Sequence, residues 1–234
     1  MSLSVIIPIG KCDQAWRSLL PDLKFLETQD EIILVSPDPE CESFRNIINE
    51  QKIGSQTKWI QSSCGRAKQM NAGAKIARQE SLWFLHCDSR ISPDGIRALK
   101  NTCKDRPSDL LFFNLDFIDD GPKLMRFNQI GVWLRSRLLR LPFGDQGFCL
   151  SKKTFKKLGG FNETVHYGED HLLIWSAHRK KISIFCIGES LKTSSRRYNE
   201  FGWLQTTSKH VMLTIGQALP QFIQMIRERR GGLG

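Results

Sequence analysis

Leu82-Trp83-Phe84-Leu85-His86-Cys87-Asp88 is the stretch that decides the fold of this chain. Its first four residues form an apolar run typical of a buried strand, and a carboxylate follows where the strand gives way to the turn-forming segment 89–94. In an open α/β sheet, ligands bind outside the carboxyl ends of the strands. Asp88 is therefore a candidate ligand for a hard divalent cation facing a diphosphate. The alternative is that Asp88 only caps a helix or solvates a turn.

Apolar runs alternate with helical patterns on both sides of this stretch. The sequence predicts further strands at 4–9, 31–35, 57–61, 109–117, 148–150 and 182–187. It predicts helices over 14–27 with a break at Pro21, over 40–50, from residue 66 with a serine cap, over 93–104, 123–141, 152–158 and 170–179, and two more near the C-terminus, the last beginning near Pro220. This alternation favours an α/β fold with a mostly parallel central sheet and helices on both faces.

Composition allows one sizeable core, with 40% hydrophobic residues among 234. The charge is uneven: residues 1–121 hold 15 basic and 17 acidic side chains, a balance of −2, whereas residues 122–234 hold 19 and 7, a balance of +12. The second half therefore predicts an anionic partner, which is a diphosphate, an acidic membrane surface or nucleic acid. A solvated surface that binds nothing is the alternative.

The cysteines and the N-terminus predict a reduced, cytoplasmic protein without an anchor of its own. The seven cysteines are widely spaced and form no C-x-x-C pair, which argues against a disulfide framework and a zinc site. Residues 1–4 lack the basic flank and apolar core of a signal peptide. No apolar run approaches the ~18–20 residues that span a bilayer.

Several short motifs occur in a fixed order, and together they carry a resemblance. They are Ser4-Val5-Ile6-Ile7-Pro8, the 65–74 segment that begins Gly65-Arg66-Ala67, Phe84-Leu85-His86-Cys87-Asp88-Ser89, Gly144-Asp145-Gln146-Gly147, Leu158-Gly159-Gly160-Phe161 and Gly168-Glu169-Asp170-His171-Leu172-Leu173. The chain resembles glycosyltransferases of family 2 over roughly residues 3–210, and within that family a bacterial subgroup associated with radical-SAM and selenium-domain proteins. The resemblance implies a GT-A (Rossmann-like) nucleotide-diphospho-sugar transferase fold, with one domain over 1–210 and a helical extension over 211–234.

The resemblance also implies metal-dependent, inverting transfer of a sugar from a nucleotide-diphosphate sugar to an unknown acceptor. Asp88 and His86 would hold Mn²⁺ or Mg²⁺. The family usually has an aspartate where His86 stands. Histidine is a softer ligand that suits Mn²⁺ better than Mg²⁺. The other interpretation is that Asp88 is the lone direct protein ligand.

Asp170 is the candidate catalytic base, with Glu169 beside it as the second catalytic residue. A base must take the proton of the acceptor hydroxyl, and a neighbouring carboxylate is expected to raise the pKa of Asp170 toward the working pH. The alternative is a pair of carboxylates favoured by a helix N-terminus.

The remaining candidates would bind the donor. They are Pro8, Asp38, Arg66, Asp88, Asp145, Gln146, Arg196 and Arg197. Asp145 and Gln146 would hydrogen-bond hydroxyls of the donor sugar or, alternatively, of the acceptor, and Arg196 and Arg197 would clamp the diphosphate. The family usually has an acidic pair directly after the second strand, but here Ser36 comes first and Asp38 two residues later, which puts uracil recognition in doubt. Cys87 is expected to be a packed small residue and not a ligand.

Two other functions compete with sugar transfer. A nucleotidyltransferase would share the metal and diphosphate requirements, although only Gly10-Lys11 hints at its usual basic loop. A non-catalytic basic module for membranes or nucleic acid would explain the +12 half, but no nucleic-acid-binding signature accompanies the charge, so no nucleic acid is expected.

Segment 123–141 interleaves leucines and Trp133 with arginines, as an interfacial membrane helix does. It would place the enzyme peripherally on the inner membrane face, with a lipid-linked acceptor; a core helix or an acceptor lid are the alternatives.

Overall fold

The computed structural model describes residues 1–122, 124–195, 198 and 202–231, except the side chains of 210 and 228–231. Within these residues, eight strands form one sheet in the order β3-β2-β1-β4-β7-β6-β8-β5. They are β1 Leu3–Pro8, β2 Glu31–Ser36, β3 Thr57–Gln61, β4 Ser81–Phe84, β5 Ser89–Arg90, β6 Leu110–Phe117, β7 Phe148–Ser151 and β8 Ile184–Thr193.

Helices connect most of these strands. They are α1 Trp16–Leu19, α2 Glu42–Glu50, α3 Arg66–Ile76, α4 Pro93–Asp105, α5 Met125–Arg137, α6 Lys152–Leu158, α7 Glu169–Arg179 and α8 Trp203–Gly231. Short 3₁₀ turns occur at Leu20–Phe25, Gly54–Gln56 and Gly144–Gln146. The predicted break at Pro21 is confirmed, since α1 gives way there to a 3₁₀ turn.

The sheet is mixed and mostly parallel, as predicted: within the described residues four of its seven strand pairings are parallel, including that of β6 with β8. β3, β2, β1 and β4 pair in parallel, whereas β7 runs antiparallel to both β4 and β6, and β5 antiparallel to β8. The antiparallel direction of β7 follows from the connection between β6 and β7. Since β7 starts at the edge where β6 ends, the chain does not cross back over the sheet, and α5 lies near that edge.

Apolar clusters cover both faces of the sheet, as predicted from the alternating pattern. One cluster packs α1, α2 and α4 on one face, and the other packs α3, α6 and α7 on the opposite face. Helix α3 lies especially close to the sheet at Gly73. A Cβ atom there would lie 2.5 Å from Ile6 Cγ2 and 3.2 Å from Val35 Cγ2, so only glycine fits.

Two predictions about helix ends are wrong. No serine side chain caps α3, whose N-cap is Gly65 with φ 128°, a backbone conformation that suits glycine. The C-terminal segment is one helix, α8, that continues through Pro220, although proline removes a helical hydrogen bond. Ala218 and Met225 pack against the core on either side of Pro220, and this packing offsets the lost bond.

Helix α8 also runs without interruption through residues 210 and 211, where the sequence suggested that a catalytic domain gives way to an extension. Gln217 and Gln221 on this helix bond to His171 and Arg179 of α7. Across the described residues, no helix is both long and apolar enough to cross a membrane.

Candidate active site

Three segments meet at the carboxyl edge of the central strands. Asp88 lies in the turn after β4, and the 3₁₀ turn Gly144–Gln146 leads into β7, whose Phe148 pairs with Phe84 of β4. Helix α7 begins with Glu169 and Asp170. The sheet therefore delivers residues from distant parts of the sequence to one place.

Gly144 is the point at which two predicted site residues converge. Its backbone N–H donates to Asp170 Oδ2 at 2.5 Å. A Cβ atom on Gly144 would lie 3.0 Å from both Asp170 Oδ2 and His86 Nε2. The absence of a side chain at this position lets His86 and Asp170 approach the same residue. The other oxygen of Asp170, Oδ1, accepts from the N–H of His171 at 2.8 Å, so the carboxylate is held at a fixed angle.

Glu169 is buried and faces Arg66, the first residue of α3. Arg66 Nη1 lies 3.5 Å from Glu169 Oε1, and the arginine side chain is itself partly exposed. Burial raises the pKa of Glu169 and the charge of Asp170 adds to that rise, whereas Arg66 opposes it. Arg66 is thereby placed beside the carboxylate pair, where its exposed guanidinium can meet an anion.

Asp145 combines burial with four charged neighbours. Its Oδ1 is shielded from solvent and accepts no hydrogen bond from any residue that the structure describes. Burial raises its pKa to about 6, the charges of Asp170 and Asp88 add to the rise, and Arg135 and Arg66 oppose it. An unpaired buried carboxylate oxygen of this kind is costly, and such groups occur where a ligand completes the site.

Arg135 on α5 is a site residue that sequence reasoning missed. Its guanidinium stacks on the ring of Phe143 at 3.3 Å from the ring centroid and donates to Leu141 O at 2.5 Å. Burial lowers its pKa to about 10, while the charges of Asp145 and Asp170 act to raise it. In the sequence this residue is one of several arginines in 123–141, and no local pattern distinguishes it from the exposed ones.

His171 links α7 to α8 and was also not predicted as a site residue. Trp175 Nε1 donates to His171 Nε2 at 3.0 Å, so the Nδ1–H of a neutral imidazole donates to Gln217 Oε1 at 3.1 Å. Burial lowers the pKa of His171, which favours this neutral form. The histidine therefore supports the first turn of α7 and does not face a ligand as a charged group.

Other predicted residues lie around this centre in different roles. Gln146 is fully buried, donating to Phe113 O at 2.9 Å and accepting from Phe143 N at 3.2 Å, so its amide holds the loop in place. Pro8 is buried at the end of β1, paired with Val35. Asp38 lies after β2, where its Oδ2 accepts from Cys12 N at 2.6 Å.

The loop after β1 connects the Asp38 region to the turn after β4. Cys87 is buried as expected for a packed residue, and its Sγ lies 3.6 Å from Asp13 Oδ2. Burial and the charges of Asp13 and Asp88 raise the pKa of the Cys87 thiol, which keeps it protonated.

Arg196 and Arg197 lie outside the described residues. Tyr198 hydroxyl accepts from Asn128 of α5 at 3.2 Å, and burial raises its pKa.

The residues present fit a divalent cation only with help from a ligand. Within the part of the chain that the structure describes, no group of three or more histidine, cysteine, aspartate or glutamate side chains is arranged to hold a metal ion. Mg²⁺ in nucleotide sites typically takes one or two carboxylates together with substrate phosphates. Asp88, with the unpaired Asp145 oxygen nearby, suits that mode of binding and not a metal cage made by protein alone.

Comparison with solved structures shows which known fold this is. The chain superimposes on S. aureus TarS 1-349 in complex with UDP-GlcNAc with a TM-score of 0.64 at 20% identity, covering 84% of this chain and 59% of that one. The chain shares the fold of TarS. The same likeness extends to TarS 1-349 in complex with UDP, with a TM-score of 0.63 at 20% identity over 83% of this chain and 60% of that one.

The shared fold confirms the predicted GT-A type of α/β architecture. Against the longer TarS structure the TM-score is 0.63 at 20% identity, over 83% of this chain but 37% of TarS. The chain therefore spans less than two thirds of these TarS chains. No protein-family model matches the sequence, and no curated protein matches it.

Proposed function

We propose that this chain transfers a sugar from a nucleotide-diphosphate sugar to an acceptor hydroxyl, with inversion, as family 2 glycosyltransferases do. The observation that carries the proposal is the convergence of Asp88, Asp145 and Asp170 with Arg66 at the carboxyl edge of the sheet. The fold is the one in which TarS was crystallised with UDP-GlcNAc and with UDP.

Asp170 acts as the base in this proposal. Its carboxylate takes the proton of the acceptor hydroxyl while the acceptor oxygen forms its bond to the anomeric carbon. The bond from that carbon to the diphosphate breaks on the opposite side, and the nucleoside diphosphate leaves with the electron pair. The two backbone N–H groups that Asp170 accepts from, on Gly144 and His171, fix its orientation toward the acceptor.

Cationic side chains stabilise the charge that develops on the leaving diphosphate. Arg66 has an exposed guanidinium next to Glu169, and Arg196 and Arg197 are proposed as a further clamp. Mn²⁺ or Mg²⁺, when bound, would supply additional charge stabilisation, with Asp88 as a ligand and His86 as the second candidate. Asp145 is proposed to bind a donor-sugar hydroxyl through Oδ1. Gln146 positions that loop.

The nucleoside is proposed to bind over Pro8 and Asp38, where β1 and β2 end. The subgroup associated with radical-SAM and selenium-domain proteins is the proposed home of the chain within family 2. A nucleotidyltransferase with the same site would release pyrophosphate, so the identity of the released product distinguishes the two enzymes.

Nucleotide-sugar binding and hydrolysis test the proposal. Thermal shift with a panel of nucleotide sugars that includes UDP-GlcNAc, with and without Mn²⁺, should identify a donor that raises the melting temperature, because a ligand of the native state stabilises it. Slow hydrolysis of that donor to a nucleoside diphosphate and free sugar should require the metal. Asp88→Asn should remove both the metal dependence and turnover while the protein still folds.

Asp94→Asn is the matched control, since Asp94 is an exposed carboxylate on α4. Near-normal turnover in Asp88→Asn would reduce Asp88 to a turn residue. Failure of every nucleotide sugar to bind would contradict the proposed function itself.

A further inference from the structure

Helix α5 presents its apolar stripe to solvent. Phe127, Ile130, Leu134 and Leu138 follow one another at helical spacing, and all are exposed, with Phe127 65% and Leu138 68% accessible. Trp133 beside them is half exposed. A helix that belongs to a core buries such a stripe, so the core-helix interpretation of 123–141 is wrong for this face.

Helix α8 repeats the arrangement. Its large apolar residues are exposed on a stripe at spacings of seven, four and three residues, and Met212 beside that stripe is 73% accessible. The residues of the stripe are Leu204, Val211, Ile215, Leu219 and Phe222. Gln217 and Gln221 lie on another side of α8 and bond to α7, so the stripe from Leu204 to Leu219 is not the side that makes these hydrogen bonds. Phe222, at the end of the stripe, also contacts α7, with its ring centroid 6.4 Å from that of Trp175.

The charges on these helices are almost all positive. Arg126 and Arg137 are exposed on α5, whose sequence contains no acidic residue, and Lys209 and Arg227 are exposed on α8, where Glu228 is the one acidic residue. The two helices contact each other where Trp203 Nε1 donates to Asn128 at 2.7 Å and Asn128 donates to Thr207 at 3.2 Å. Two basic, apolar helix faces thus belong to one region of the molecule.

We propose that the outward faces of α5 and α8 bind the surface of an anionic lipid bilayer. Apolar side chains on a helix with basic flanks insert at the headgroup boundary, and the arginines and lysines are attracted to anionic lipid. A second copy of this chain fits the surface less well, because it would bring arginines against arginines. Lipid binding does not depend on the proposed sugar transfer. The expectation of a lipid-linked acceptor does depend on the proposed function.

Co-sedimentation of the full chain with vesicles tests the proposal. Vesicles of phosphatidylcholine with about 30% phosphatidylglycerol should bind the protein at low salt. Binding should weaken as added salt shortens the Debye screening length to ~8 Å at physiological ionic strength. Pure phosphatidylcholine vesicles should bind it much less. The Trp emission of the bound protein should shift to the blue, and Trp133→Phe should lose most of that shift.

Two double variants separate the helices. Phe127→Ser with Leu134→Ser, and Ile215→Ser with Leu219→Ser, should each lower the vesicle partition coefficient by at least roughly tenfold, because each large apolar side chain contributes on that scale. Phe25→Ser is the matched control, since Phe25 is 51% exposed on the 3₁₀ turn after α1 and also lies beside a lysine. Donor binding should be unchanged in all three.

Three outcomes would overturn the proposal. They are no binding to anionic vesicles at low salt, equal binding to neutral and anionic vesicles, and loss of binding in Phe25→Ser to the same extent as in the double variants. A dimer that forms in analytical ultracentrifugation and dissociates in the double variants, without vesicle binding, would assign the surface to a second copy. Vesicle binding with no donor binding would keep this proposal and contradict the proposed function.

Discussion

Helices α4 and α5 are both 13 residues long, yet α4 buries most of its large apolar side chains and α5 exposes most of its own. Helix α4 buries Ile96, Leu99 and Cys103 against the sheet. Helix α5 turns Phe127 and its neighbours outward and sends Arg135 inward to Asp145 and Asp170. The inner face of α4 supplies stability, whereas the inner face of α5 supplies charge to the site. Apolar side chains on a helix can therefore either stabilise the core or form an exposed surface. Whether the fold buries them decides between the two.

The largest effect is expected at the carboxylate that Arg135 faces. Asp170→Asn should lower kcat by about 10²–10⁴-fold, the usual cost of losing a general base, and leave donor affinity within a few-fold. Single-turnover kinetics and donor titration would separate the two quantities. Parallel loss of donor binding would instead make Asp170 structural or a metal ligand.

A pair of leucine variants tests this difference in burial between the two helices. Leu99→Ala should destabilise the fold by about 2–5 kcal/mol, since Leu99 is fully buried and its removal leaves a cavity. Leu138→Ala, at the exposed end of α5, should change the free energy of unfolding by less than about 0.5 kcal/mol. Urea denaturation measures both values. Similar losses in both variants would show that α5 packs against the protein through its apolar stripe.

The Asp145 carboxyl gives a pH-dependent test. Its folded pKa of about 6 lies above its ordinary value of 3.8, so the folded state binds the proton more tightly and loses stability as pH rises from about 4 to about 6. Asp145→Asn should remove that loss and stabilise the protein at pH 7 by on the order of 2–3 kcal/mol, while transfer activity falls. Asp105→Asn, at an exposed carboxylate, is the control. A less stable Asp145→Asn protein at pH 7 would show that the Arg135 contact outweighs burial.

The smallest effect on catalysis is expected at Gly144. In Gly144→Ala the added methyl lies 3.0 Å from Asp170 Oδ2 and His86 Nε2, so both must move by a few tenths of an ångström. We expect kcat to fall by roughly tenfold, because a small misplacement of a catalytic group lowers the rate. The melting temperature should be nearly unchanged. Gly131→Ala on α5 has no atom within 4 Å of the new methyl and serves as the control. Unchanged kcat in Gly144→Ala would separate His86 and Asp170 from the reacting groups.

The sequence predicted well where burial alone decides the structure. The strands Leu3–Pro8 and Glu31–Ser36 are completely buried, and continuous apolar runs of that length have few other solutions. It failed where long-range packing decides. Nothing local shows that Pro220 lies within a helix, because that outcome depends on the packing of Ala218 and Met225 against the core. The predicted serine cap of α3 failed because Gly65 occupies the N-cap position.

The candidate site follows the same division. Asp88 was found because it stands at a recognisable strand end, and Glu169 and Asp170 were found through the resemblance to family 2 glycosyltransferases. Arg135 and His171 were missed because their partners, Asp145 and Gln217, lie in other segments of the chain. Gln146 was found, but its bonds to Phe113 and Phe143 show a role in holding the loop that no motif could reveal.

The contact between Gln217 and the residues around Gly168 bears on how fragments of this protein behave. Gln217 accepts from His171 and donates to Tyr167 O at 3.0 Å, and a Cβ atom on Gly168 would overlap its amide. A chain that ends before Trp203 lacks these hydrogen bonds to the segment that carries Glu169 and Asp170. Loss of activity in such a fragment would therefore be misleading, because it would suggest that α8 carries a role that we propose for Glu169 and Asp170 of α7.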